Sequence, residues 1–143
     1  MLKKFRFLYP PLILFLVSFL LDSFVTHIGL SLGFKEGDSV VLWLWSIFGY
    51  ESLLLRIIYV SIIILVSYFL ANLVNSKIGL WFLYSFGAGH FLGFLSWIYP
   101  TVLKLVTLGL YNFIPEVSFY ILVVFAIFYG YIFTLLQYKY FPK

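Results

Sequence analysis

The chain has 143 residues, of which 64% are hydrophobic, 24% aromatic and only 10% charged. Soluble chains carry roughly 25% charged residues, and the uncharged runs here exceed the ~18 residues that mark membrane-spanning helices, so a soluble domain is excluded and an integral membrane protein indicated. The net charge of +4 comes from nine basic residues scattered at the ends of apolar runs, with no basic stripe, which argues against a nucleic-acid partner.

With no cysteine the chain has no disulfide, thiolate ligand or Cys nucleophile. The scarcity of Met, Gln and Asn, and the preference for Lys over Arg, fit a hyperthermophile.

Lys3, Lys4 and Arg6 precede an apolar run, the layout of a secretory signal. No small-x-small cleavage site follows, and the apolar pattern continues to Phe34, so a retained first span over about 11–33 is expected. Pro10 and Pro11 are placed in its first turn, where a missing N–H costs nothing. Ser18, Asp22, Thr26, Gly29 and Gly33 share one face at about 100° per residue, and that face must look into the bundle.

Lys35-Glu36-Gly37-Asp38-Ser39 reads as a polar loop. Val40 to Tyr50 is apolar but about 16 Å long as a helix, against a hydrocarbon core of about 30 Å. It cannot cross, and with Trp43 and Trp45 it is expected as an interfacial or re-entrant helix that Ser39 can N-cap. The second span, about 51–74, carries Ser52, Arg56, Tyr59 and Ser67 on one face. After a turn over Asn72 to Lys77, the third span, about 78–99, carries Ser85, Gly89 and Gly93 at intervals of four, a small-xxx-small pattern suited to central packing.

Pro100 ends the third span, and Thr101 to Ile114 is expected as a second short interfacial segment. Pro115 and Glu116 open a fourth span, about 116–138, whose small or polar exceptions are Ser118, Gly130, Thr134 and Gln137; its main exposure is expected to be to lipid. The expected architecture is therefore all-α and polytopic: one domain over 1–143, with four transmembrane helices and two short interfacial or re-entrant ones. With both termini cytoplasmic, Lys3, Lys4, Arg6, Lys77, Lys139 and Lys143 lie inside the cell membrane, and Glu36, Asp38, Glu51 and Glu116 outside.

Asp22, Arg56 and His90 then converge in the outer half of the bilayer, within roughly 10 Å of one another in depth. Two readings stand side by side: an Asp22–Arg56 ion pair that fixes helix register, or a polar pocket formed by Asp22, Thr26, Arg56, Tyr59 and His90 and open to the outer face. Glu36 and Asp38 are loop candidates for the same site. A metal held by Asp22, His27 and His90 ranks below both, because His27 lies about 140° around the helix from Asp22 and there is no HExxH. No phosphate loop, cofactor motif or G-x-S-x-G turn is present.

Asp22 and Thr26, Gly33 and Glu36, and the basic Arg56 in the next span together resemble a family of small archaeal and bacterial multi-pass membrane proteins of unknown function, which share an Asp-x-x-x-Thr helix and a Gly-x-x-Glu-x-Asn-Pro loop. Asp38-Ser39 replaces the Asn-Pro pair here, and the similarity covers the first half of the chain. The resemblance implies a shared fold and a shared site around Asp22, Thr26, Glu36 and Arg56, and no activity.

A non-enzymatic accessory subunit, or a binder of lipid or ion, is the favoured expectation; the alternative is a hydrolase-like intramembrane enzyme using Asp22 and His90 as acid and base. No cofactor is expected. The partner expected in every case is the lipid bilayer, and a homo-oligomer or a larger membrane complex is the setting in which so small a bundle could transport anything.

Overall fold

In the computed structural model the described residues are 2–33, 39–49, 52–98 and 115–140. They form α1 (Leu2–Ser31), α2 (Ser39–Phe48), α3 (Ser52–Phe69) with a π-helical turn at Leu70–Val74, α4 (Ser76–Ile98) and α5 (Pro115–Tyr140). Among the described residues there is no strand. Four helical stretches, Phe7–Ser31, Leu55–Val74, Ser76–Ile98 and Phe119–Tyr140, are long and apolar enough to cross a membrane. The expected segment over 101–114 and the loop residues Glu36 and Asp38 lie outside the described residues.

α1 begins at Leu2, so Pro10 and Pro11 sit inside the helix and not in its first turn. A proline inside a helix removes the hydrogen bond to the carbonyl four residues back, and in lipid that carbonyl needs another donor. Pro11 frees the carbonyl of Phe7, and Gln137 Nε2 of α5 donates to it at 2.8 Å. The cost that favours first-turn prolines is thus offset from a neighbouring helix, and α1 runs through. At its other end Gly33, at φ 81°, turns the chain out of the helix while its N–H donates to Leu30 O at 3.0 Å. It terminates the polar face instead of extending it.

α2 has ten residues, about 15 Å of helix, and cannot cross a bilayer. α3 ends in the π-turn, where Asn75 N–H reaches Leu70 O at 2.9 Å. Asn75 is extended (φ −160°, ψ 137°), and its Oδ1 accepts from Lys77 N–H at 2.9 Å, an N-cap that starts α4 at once. One residue therefore joins two candidate spans.

α4 is central, packing against α1, α3 and α5, while α1 and α3 meet at few points. Tight packing in lipid depends on shape more than on expulsion of water, so small residues let backbones approach. A Cβ on Gly130 of α5 would lie 2.6 Å from Ser85 N and 2.7 Å from Ser85 Cα on α4. Where the expected small-residue stripe drifts around α4, Ser85 and Gly89 face α5, and Gly93 faces Asp22 on α1.

One aromatic and aliphatic core, Phe15, Phe19, Ile63 and Leu83, fills the space between α1, α3 and α4. A second, Leu8, Leu80 and Tyr84, lies toward the other end and touches Tyr138. α5 buries one stripe, Ala126, Gly130, Thr134 and Gln137, and exposes Tyr120, Val124 and Phe128 on the opposite side. Two buried hydroxyls are satisfied inside their own helices, Ser67 Oγ donating to Ile63 O at 2.7 Å and Thr134 Oγ1 to Gly130 O at 2.8 Å.

Candidate functional site

The polar face of α1 does turn inward: Ser18, Thr26 and Gly29 are buried. Asp22 on that face meets α4, where His90 Nδ1 lies 2.7 Å from Asp22 Oδ2. On the imidazole's far side, Nε2 lies 3.3 Å from the Tyr59 hydroxyl of α3. With Asp22 ionised, Nδ1–H donates to the carboxylate, which leaves the lone pair of Nε2 to accept from the phenol. Carboxylate, imidazole and phenol thus form one hydrogen-bonded chain across three helices.

Local structure places each member. Gly93, one turn beyond His90, gives the carboxylate its room: a Cβ there would come within 2.7 Å of Asp22 Oδ1. Around the imidazole, the Phe19 ring stands edge-on at 5.1 Å between centroids, with Phe15 and Tyr59 at 5.9 Å. Phe19 also stacks on Tyr59 at 6.0 Å, which holds the phenol toward His90. The two ionisable side chains are half-enclosed, with 20% of His90 and 17% of Asp22 exposed.

Of the expected site residues, Asp22, Tyr59 and His90 come together, and Thr26 lies buried one turn along α1 from Asp22. The expected ion pair is corrected: Asp22 pairs with His90 rather than Arg56. The reason is helix adjacency, since α1 packs along α4 and barely meets α3, so matched depth alone does not bring Arg56 to the carboxylate. Arg56 makes its contacts elsewhere, and its charge is within electrostatic reach of His27.

His27 turns away to Trp45 of α2, edge to face at 5.0 Å, in keeping with its position around α1. It therefore does not join Asp22 and His90, and among the described residues no group of three His, Cys, Asp or Glu side chains converges. One further polar atom near this region went unnoticed in the sequence: Ser23 Oγ is buried without a hydrogen-bond partner.

A second polar cluster ties the opposite ends of α1, α4 and α5. Besides the Gln137 bond to Phe7, Ser76 Oγ and the Tyr138 hydroxyl lie 2.6 Å apart, the Phe7 and Tyr138 rings meet edge to face at 5.1 Å, and Lys77 Nζ sits 4.9 Å above the Tyr138 ring. Sequence reading treated Gln137 as an exception on a lipid-facing helix. The signal that could have found it was the Pro10-Pro11 pair, since a proline inside a membrane helix calls for a donor from elsewhere.

The protein is thus a small all-helical chain with four candidate membrane spans and an acid–imidazole–phenol chain inside its bundle. No protein-family model, curated protein or solved structure matches it.

Proposed function

We propose that this is a small multi-pass membrane protein, without catalytic activity of its own, whose Asp22–His90–Tyr59 chain takes up a proton or a small cation from the water on the outer face. The observation that carries this reading is the unbroken acid–imidazole–phenol chain at the junction of three helices. Ionisable groups at membrane depth are expensive and commonly mark ion or proton pathways. Asp22 uses Oδ2 for His90, and no described donor bonds Oδ1, so its lone pairs are available to a cation. The placement of this site in the outer half, with both termini cytoplasmic, rests on the distribution of Lys, Arg, Asp and Glu along the chain. The Asp22–Thr26 and Gly33–Glu36 motifs support kinship with the small membrane family they resemble, and the apolar outer face of α5 supports an accessory role beside another subunit or copy.

The test is nitrogen-15 spectroscopy of the His90 imidazole in the full chain reconstituted in lipid, across pH and with sodium or potassium added. The expected result is one proton taken up at His90 or Asp22, displaced by cation, and a response lost in Asp22→Asn. Imidazole signals indifferent to both pH and cation would sink the proposal.

The order carboxylate, imidazole, hydroxyl favours one second reading, a hydrolase-like enzyme in which Asp22 orients His90 and His90 acts as base toward the Tyr59 hydroxyl. That reading expects a fluorophosphonate to label Tyr59 and His90→Ala to abolish the labelling; an unlabelled Tyr59 decides for the binder.

A further inference from the structure

We propose that the end of the bundle where α4 begins and α5 finishes binds the phosphate headgroup of an anionic phospholipid between Lys77 and Lys139. The three helix ends there are fastened together by the Ser76–Tyr138 hydrogen bond, the Phe7–Tyr138 ring contact and the Gln137 bond to the Phe7 carbonyl. On this frame Lys77 Nζ rests 4.9 Å over the Tyr138 ring and Lys139 Nζ 5.4 Å over the Tyr140 ring. Both lysines are exposed, and neither has a carboxylate partner among the described residues. A ring face occupies one side of each ammonium and lowers its freedom, while the remaining N–H groups stay available to phosphate oxygens.

Depth and charge fit the same ligand. The candidate spans Ser76–Ile98 and Phe119–Tyr140 start and stop at this end, which puts Lys77 and Lys139 at the level of lipid phosphates and Tyr138 and Tyr140 in the interfacial belt. In the sequence Lys3, Lys4 and Arg6 lead α1 into the same end and Lys143 follows α5, whereas Glu36, Asp38, Glu51 and Glu116 flank the other helix ends. The positive field is therefore unopposed here by any acid nearby in the chain. Free phosphate would satisfy the lysines equally, but Leu73, Val74 and Ile78 beside them, and Leu135 and Leu136 on α5, are exposed. They offer acyl chains a bed that an inorganic anion cannot use.

The experiment is native mass spectrometry of the full chain extracted from vesicles of phosphatidylcholine mixed with phosphatidylglycerol. Retention of phosphatidylglycerol over phosphatidylcholine is expected, falling about twenty-five-fold in the Lys77→Gln/Lys139→Gln pair, as about fivefold per lysine near an anionic surface compounds. The Lys77→Arg/Lys139→Arg pair keeps the charge and should keep the lipid, whatever the glutamine pair does to folding. Equal retention of both lipids, unchanged retention in the glutamine pair, or loss in the arginine pair would each overturn the proposal. So would displacement of the lipid by inorganic phosphate, which would make the site a reader of free anion.

Discussion

Around Asp22 the bundle joins three helices through ionisable side chains that stay partly open, 17% for Asp22 and 20% for His90, whereas at the Tyr138 end the hydrogen bonds between helices run through the neutral Ser76, Tyr138 and Gln137, the last sealed to 5%, with the lysines left on the surface. The contrast follows the cost of removing each group from water. Gln137 is enclosed with its Nε2 bonded and its Oε1 without a partner, a cost that a neutral amide can bear and an unpaired carboxylate cannot. One end is therefore held by neutral hydrogen bonds, and the other by an ionisable pair. Breaking each end separately is the way to check that division.

The largest effect is expected at the ionisable end. Asp22→Ala removes the partner of His90 and should destabilise the bundle by about 3 kcal/mol, at the lower end for broken buried pairs. Reversible unfolding in mixed micelles measures it, and the Asp22→Ala/His90→Ala double variant should recover much of the loss. A double variant no better than the sum of the singles would mean that the two residues are not coupled. Next, Gly93→Ala puts a methyl group within 2.7 Å of Asp22 Oδ1, so the carboxylate must shift. About 2 kcal/mol is expected from the crowding. The imidazole nitrogen-15 spectrum should show a lengthened Nδ1 hydrogen bond, and an unaltered spectrum would place the carboxylate elsewhere.

At the Tyr138 end, Gln137→Leu removes the interhelical bond to the Phe7 carbonyl and should cost about 1 kcal/mol, in the range of such bonds in membranes. Adding Pro11→Ala gives position 11 an N–H for that carbonyl, so the combination should unfold at a higher temperature than Gln137→Leu alone. Failure of this rescue would break the link between the proline and the amide. Tyr59→Phe should have the smallest effect, about 0.5 kcal/mol, because at 3.3 Å the bond to His90 is long and the ring stacking survives. Its sharper readout is the His90 spectrum, where loss of the phenol should change Nε2 and leave Nδ1 alone.

Much of this architecture is legible in the sequence. Run lengths mark the spans, Val40–Tyr50 is too short to cross, and the spacing from Ser18 to Gly29 orients α1. Asp22, Tyr59 and His90 are visible as candidates because polar groups are conspicuous in apolar helices. Their pairing is not, because periodicity assigns faces and depths within a helix but not which helices are neighbours. A charge rule then favours Arg56 for Asp22, although α1 lies along α4. The sequence clue to the actual partner was Gly93, one turn from His90, which reads as packing until an oxygen is found where its Cβ would be. The same limit hid Gln137, whose role depends on a carbonyl far away in the chain.

The π-turn at Leu70–Val74 gives the α3–α4 hairpin one residue of slack, since such a turn is an α-helix holding one residue more than its hydrogen-bond ladder needs. Losing a single residue inside that turn can be absorbed by relaxing it to ordinary helix, with Asn75 still capping α4. Losing one between Tyr59 and Ile63 is costlier, because relaxing the turn keeps Tyr59 in phase with α4 but rotates the residues between the loss and the turn, Ile63 and Ser67 among them, by about 100° away from their buried positions. The hairpin thus has a tolerant segment and an intolerant one within a few turns of each other, and what the intolerant one protects is the packing of Ile63 and Ser67.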